Sequence, residues 1–194
     1  MKPELVTNRP SVTQIESEID RIKTAGALRT AALKAMSTLI VFAAAAVLIS
    51  TLLINVISVQ QNSMSPTIQD GDTLIFIKGG NVNRGDIIAF HHNNQVLIKR
   101  VIAAAGELVD IDRDGIVSVN GERLTESYLN MNSRGECTID FPFHVPENQF
   151  FVMGDNRAAS LDSRLSVIGT IHKDRIVGKA VGRIWPLQKR RHGS

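Results

Sequence analysis

Three segments of this 194-residue chain carry residue types out of keeping with their surroundings. They are Ser63-Met64-Ser65-Pro66-Thr67, Leu97-Ile98-Lys99-Arg100-Val101, and the polar run from Gly154 to Arg164. The second is the most informative. Residues i and i±2 of a strand share a face, so Leu97, Lys99 and Val101 point one way while Ile98 and Arg100 point the other. Burial among apolar neighbours disfavours an ammonium and lowers a lysine pKa by several units from about 10.4. A lysine that is neutral at about pH 7–8 is a competent general base, and beside a serine hydroxyl it does the work a histidine does elsewhere. Periodicity alone leaves a second reading open, a lysine carrying its head group to water from a strand edge.

Other chemistries find little support. Of the five histidines, His91 and His92 are adjacent at a strand end and point to opposite faces, and His192 lies in the tail. None of the five sits in a zinc-ligand spacing. The single cysteine, Cys137, excludes an intrachain disulfide framework, and no glycine-rich phosphate loop occurs. No metal or cofactor is expected.

The elements that must position these segments follow from how the apolar residues are distributed. With 43% hydrophobic and 21% charged residues and a net charge of +3, the chain is expected to fold rather than stay disordered. The 23 residues from Ala35 to Ile57 contain no charge. As a helix at about 1.5 Å per residue they would span a hydrocarbon core of roughly 30 Å. We read 35–57 as a transmembrane anchor and 1–34 as a cytoplasmic segment, because Lys2, Arg9, Arg21, Lys23, Arg29 and Lys34 precede the run and no Lys or Arg follows it until Lys78. Ser11-Val12-Thr13-Gln14 has the form of a capping box ahead of Ile15, Ile19 and Ile22, which suits a short amphipathic helix; a solvated leader is the other reading. Beyond the anchor, seven segments rich in Ile and Val predict strands: 73–78, 86–91, 95–103, 107–112, 116–120, 149–153 and 176–184. Asn93-Asn94 and Asp114-Gly115 predict hairpin turns. Residues 58–187 thus read as an extracytoplasmic, mainly β domain with an irregular insertion over 121–148, and 188–194 as a basic tail. That tail, with Lys189, Arg190 and Arg191, either touches anionic lipid or is solvated. It and the leader account for the basic balance, so no nucleic-acid partner is expected.

The motifs together resemble those of the bacterial type I signal peptidases (peptidase family S26), membrane-bound proteases with a Ser/Lys dyad. Five segments match in order: Ser63-Met64-Ser65-Pro66-Thr67; Arg84-Gly85-Asp86-Ile87-Ile88-Ala89-Phe90; Ile98-Lys99-Arg100-Val101-Ile102 with Gly106; Val119-Asn120-Gly121 with Glu126 and Tyr128-Leu129; and Gly154-Asp155-Asn156-Arg157 with Ser160, Asp162-Ser163-Arg164 and Gly169. The resemblance implies an antiparallel β-sheet catalytic domain behind one N-terminal transmembrane helix, and a serine endopeptidase that removes signal peptides from exported preproteins after small residues of Ala-x-Ala type. It implies that Ser63 attacks the scissile carbonyl and Lys99 takes its proton. Ser160 would hydrogen-bond and orient Lys99. Asp155, Arg157, Asp162 and Arg164, with Arg100, would form bracing ion pairs. Met64 would shape the pocket, and the Ser63 backbone N–H would be one oxyanion donor. Relatives carry Ser or Gly where this chain has Gln61, so the second donor is open, with the Gln61 amide a candidate. The short insertion and single anchor resemble Gram-positive-type members. Implied partners are preproteins, membrane lipids and the nearby secretion translocon, and the implied location is the plasma membrane. The competing readings are a narrow-substrate peptidase and a catalytically weak or dead relative acting as a surface-protein or pilus assembly factor.

Overall fold

In the computed structural model residues 11–186 are described. The basic tail 188–194 and the first ten residues, with Lys2 and Arg9, lie outside them. The chain divides into two compact units, one ending at Ser50 and the other starting at Thr51.

The first unit is helical. Helix α1 runs Val12–Leu53 without a proline, so the expected short amphipathic helix and the anchor are one continuous element. Its start is a reciprocal capping box: Ser11 N–H donates to Gln14 Oε1 at 3.0 Å and Gln14 N–H to Ser11 Oγ at 3.3 Å. The first bond satisfies the Ser11 N–H, and the second is shared, because the Gln14 N–H also donates to the Ser11 carbonyl at 3.0 Å. Within the apolar run, Ser37 and Thr38 donate to the Lys34 carbonyl and Ser50 to that of Val47, which lets hydroxyls sit in an apolar stretch. By length and composition α1 can cross a membrane.

The apolar run does not stay helical to Ile57. Ile54–Ser58 is strand β1, paired antiparallel with β2 (Thr73–Ile77) from Ile54 opposite Ile77 to Ser58 opposite Thr73. The helical uncharged stretch is therefore Ala35–Leu53, about 28 Å long at about 1.5 Å per residue. The switch occurs where β-branched Ile54, Val56 and Ile57 meet a strand whose backbone groups need partners.

The second unit holds two antiparallel sheets. The larger has strand order β1-β2-β11-β3-β4-β9-β10, with β3 at Ile87–His92, β4 at Gln95–Ala103, β9 at Gln149–Met153, β10 at Ile171–His172 and β11 at Ile176–Trp185. The smaller has order β7-β6-β5-β8, from Leu108–Ile111 (β5), Val117–Val119 (β6), Glu122–Arg123 (β7) and Phe143–His144 (β8). All seven strands read from the sequence are present, β4 and β9 with the expected bounds and the others with ends shifted by one residue. The insertion is irregular between β7 and β8, and its turn near Tyr128 closes by Leu129 N–H donating to the Glu126 carbonyl. Both residues of the Asn93-Asn94 turn have positive φ, 42° and 51°, as a two-residue hairpin turn of matching twist requires.

Three apolar clusters fix the frame. Val109, Ile111, Val117 and Val119 pack with Phe151 and Met153 under the small sheet. Met64, Ile68, Phe76 and Ile98 form a second cluster, and Ile88, Phe90, Val101 and Val152 a third. Strand β4 contributes to all three, which makes it the rigid element on which a site is best built.

Candidate active site

Register brings the three polar segments together. Ile88 of β3 stands opposite Lys99, and Arg100 stands opposite Met153 of β9. The chain leaving β9 therefore lays Gly154, Asp155 and Asn156 beside Lys99 and Arg100. Ser63 arrives from the β1–β2 connection. That connection is closed by Val59 N–H donating to the Asp72 carbonyl, and it sinks Met64 and Ile68 into the core. The two arms are tied by Asn156 N–H donating to the Ser63 carbonyl at 3.0 Å and by Asn156 Nδ2 donating to the Asn62 carbonyl at 3.2 Å.

Lys99 is 1% exposed, so the reading in which its head group reaches water does not hold. Its Nζ lies 2.8 Å from Ser63 Oγ and donates to the Ile98 carbonyl at 3.1 Å. Burial pushes the ammonium down from 10.5 to about 8; Asp162 pulls it back up, Arg164 adds to the fall, and Asp155 pulls it up again. At about pH 8 half of the lysines are neutral. The Ser63 O–H can then donate to the nitrogen lone pair, which is the arrangement general-base activation of a serine needs.

The expected hydrogen bond from Ser160 to Lys99 is not present in this structure. Its Oγ is buried with no hydrogen-bond partner among the described residues, while Lys99 bonds Ser63 and Ile98. Ser160 instead packs against Gly154. A Cβ on Gly154 would overlap Ser160 Oγ and lie 2.5 Å from the Ser63 carbonyl oxygen. Glycine is thus required by close approach. Gly154→Ala is expected to shift Ser63 from Lys99, cost about 1–3 kcal/mol of stability and lower kcat by roughly 10²-fold. Thermal unfolding and steady-state cleavage of the variant check this.

The charged residues form three separate braces. Arg100 Nε and Nη2 grip both oxygens of Asp155 at 2.8 and 2.6 Å, and Arg100 Nη1 donates to the Gly85 carbonyl at 2.8 Å. Asp162 receives Arg164 Nε at 2.8 Å, Arg164 Nη2 at 2.9 Å and the Gly154 N–H at 2.9 Å. Arg157 pairs with Glu126 of the insertion rather than with an aspartate, and its Nε donates to the Gly154 carbonyl at 3.2 Å. All three therefore terminate on Gly154 or Asp155, beside the Ser63 carbonyl. Thr67, whose hydroxyl donates to Asp155 Oδ2, and Glu126, Tyr128 and Asn156 support the site without a role assigned from the sequence. Tyr128 donates to Glu126 at 2.6 Å and stacks its ring 3.9 Å from the Arg100 guanidinium. The signal for these two was their place in the fourth matching motif, which carried no role for either.

A groove of about 390 Å³ opens onto Lys99, walled by Val59 and Gln61 on one side and by Gln95, Leu97 and Ile98 on the other. Strand β4 pairs with β9 only from Arg100 onward, so Gln95–Lys99 borders the groove with sheet pairing from β3 alone. Met64 is buried in the cluster beneath Ser63, and Gln61 is exposed in the groove wall.

Comparison with known proteins identifies the family. Residues 32–185 match the family model described as signal peptidase, peptidase S26. Signal peptidase IB of Staphylococcus aureus is 34% identical over 155 residues, 70% of this chain and 80% of that protein. Signal peptidase I of Bacillus amyloliquefaciens is 35% identical over 166 residues, 79% of this chain and 85% of that protein. The crystal structure of a signal peptidase I from Enterococcus faecalis V583 aligns at 33% identity and a TM-score of 0.45, over 52% of this chain and 97% of that one. The chain belongs to the signal peptidase family, peptidase S26.

Proposed function

We propose that this chain is a signal peptidase I that cleaves signal peptides from exported preproteins after small residues, with Ser63 as nucleophile and Lys99 as general base. The observation that carries the reading is the 2.8 Å contact between Ser63 Oγ and a buried Lys99 Nζ. Neutral Lys99 takes the Ser63 proton as Oγ attacks the scissile carbonyl. The ammonium so formed protonates the leaving amine, and a water deprotonated by Lys99 then hydrolyses the acyl-enzyme. The Ser63 N–H, with the Gln61 amide in the groove wall as candidate partner, supports the oxyanion.

An extended substrate adds as a strand along Gln95–Lys99, where β4 has an open edge. Burial of Met64 beneath the nucleophile favours a shallow pocket, suited to small side chains. We place the catalytic unit outside the membrane and the leader inside on the lysine and arginine asymmetry. Exposed Ile54, Val56, Ile77 and Trp185 on β1, β2 and β11 support apposition to lipid. Incubating the full chain with several preproteins and sequencing the new N-termini tests the function. Cleavage after Ala-x-Ala is expected, and its absence across the set contradicts the reading.

A further inference from the structure

The N-terminal part of α1 presents a surface that the peptidase chemistry does not use. Val12, Ile15, Ile19 and Ile22 are all exposed, from 44% to 72%. Their spacings of three, four and three residues are those of positions a and d in a heptad, with Gly26 at the next a. Every other residue from Thr13 to Thr24 is polar or charged. An apolar stripe confined to a and d is the narrow seam of a coiled coil rather than the broader face that packs on a globular core. The helix is continuous into the uncharged run, and Ile22 precedes Ala35 by about 20 Å at about 1.5 Å per residue. A helix that keeps its axis into the bilayer holds this stripe away from the lipid surface.

We infer that Val12, Ile15, Ile19 and Ile22 form a short parallel coiled coil with further copies of this same chain. Charge favours a copy of the same chain as the occupant. Glu18 takes position g and Lys23 the following position e, so in a parallel pair Glu18 of each helix faces Lys23 of the other, and symmetry makes the contact twice. Within its own helix Glu18 meets only a loose partner, Arg21 Nη1 at 3.9 Å between two exposed side chains, which gives way readily. Parallel alignment follows from identical anchors. The seam is bounded at Arg29, the next d position, whose charge would face its own copy. Two heptads are short for association in free solution. Here the capping box starts the helix, its continuity with the span sustains it, and anchoring raises the effective concentration of the partner. Isoleucine at both a and d also packs in a three-stranded form, so the inference is self-association through this seam, with two or three copies.

Cysteine cross-linking of the full chain in proteoliposomes tests it. In a Cys137→Ser background, Ile15→Cys, Ile19→Cys and Ile22→Cys are compared with Ser17→Cys and Thr24→Cys on the opposite face. Preprotein cleavage before oxidation shows that each variant is folded. Seam cysteines are expected to form covalent dimers several-fold faster than the outer ones. Glu18→Lys is expected to slow cross-linking at Ile19→Cys, and adding Lys23→Glu to restore it. Equal rates on both faces, or a charge exchange without rescue, would overturn the inference. So would seam cysteines that stay uncross-linked and shielded from a water-soluble maleimide, the outcome of a stripe lying on lipid.

Discussion

Ser63→Ala and Lys99→Met are each expected to lower kcat/KM on an Ala-x-Ala preprotein by at least about 10³-fold, and the double variant to be no worse than either single one. Non-additivity follows because the two side chains act as one unit: a base without its nucleophile, or a nucleophile without its base, has nothing left to lose. The same Lys99→Met substitution is expected to stabilise the fold. Burial holds the Lys99 pKa at about 8 against 10.5 for the exposed group. Between those values the unfolded chain binds the proton and the native one does not, so stability rises with pH across that window. Below about pH 8 both states are protonated and the full penalty of a buried ammonium applies. Removing the charge while keeping an apolar chain of similar length should therefore raise stability by about 3 kcal/mol at pH 7, a gain that fades towards pH 10.5. Thermal unfolding of the full chain in detergent, compared at pH 7 and 10, reads it. A Lys99→Met protein that is less stable than wild type at pH 7 would contradict burial of the charged group.

The second large effect is expected at Asp162 and Arg164, both fully buried and bonded to one another. Asp162→Asn leaves the Arg164 guanidinium without its counter-charge and is expected to cost about 3–5 kcal/mol, whereas replacing both partners by apolar residues recovers much of the loss. A double-mutant cycle on unfolding free energies measures the coupling. The pair also tunes the base, because Asp162 raises and Arg164 lowers the Lys99 pKa. Asp162→Asn should move the pH profile of cleavage to lower pH and Arg164→Met to higher pH. Equal displacement of both profiles in one direction would mean that the pair acts on the fold alone.

How much of this was legible in the sequence depends on the range of the interaction. Strands β4 and β9 are bounded as their Ile and Val patterns predict, because alternation and turn residues are local signals. Lys99 stood out for the same reason, a charge inside an apolar strand. Strand β1 was hidden: in an uncharged and mainly apolar run, neither a 3.6- nor a 2-residue period stands out, and only pairing with Thr73–Ile77 ends the helix at Leu53. Ser63 and Lys99 are 36 residues apart, and their meeting was expected from motif resemblance, not from pattern. The partner of Arg157, Glu126, lies 31 residues away in a segment without periodicity; motif resemblance singled the residue out, but nothing local announces the pairing. Ser160 is expected to bond Lys99 on motif resemblance, yet in the structure its side chain lies against Gly154 with its Oγ unpartnered among the described residues, an approach visible only in three dimensions.

The central claim, that a lysine made neutral by burial activates Ser63, is tested most directly by the pH dependence of kcat/KM for preprotein cleavage by the wild-type chain. The account predicts a rise of about tenfold per pH unit at low pH that levels off near pH 8, the pKa to which burial brings Lys99. A profile already level at pH 6, or one that keeps rising to pH 10 as for an unperturbed lysine, would contradict it.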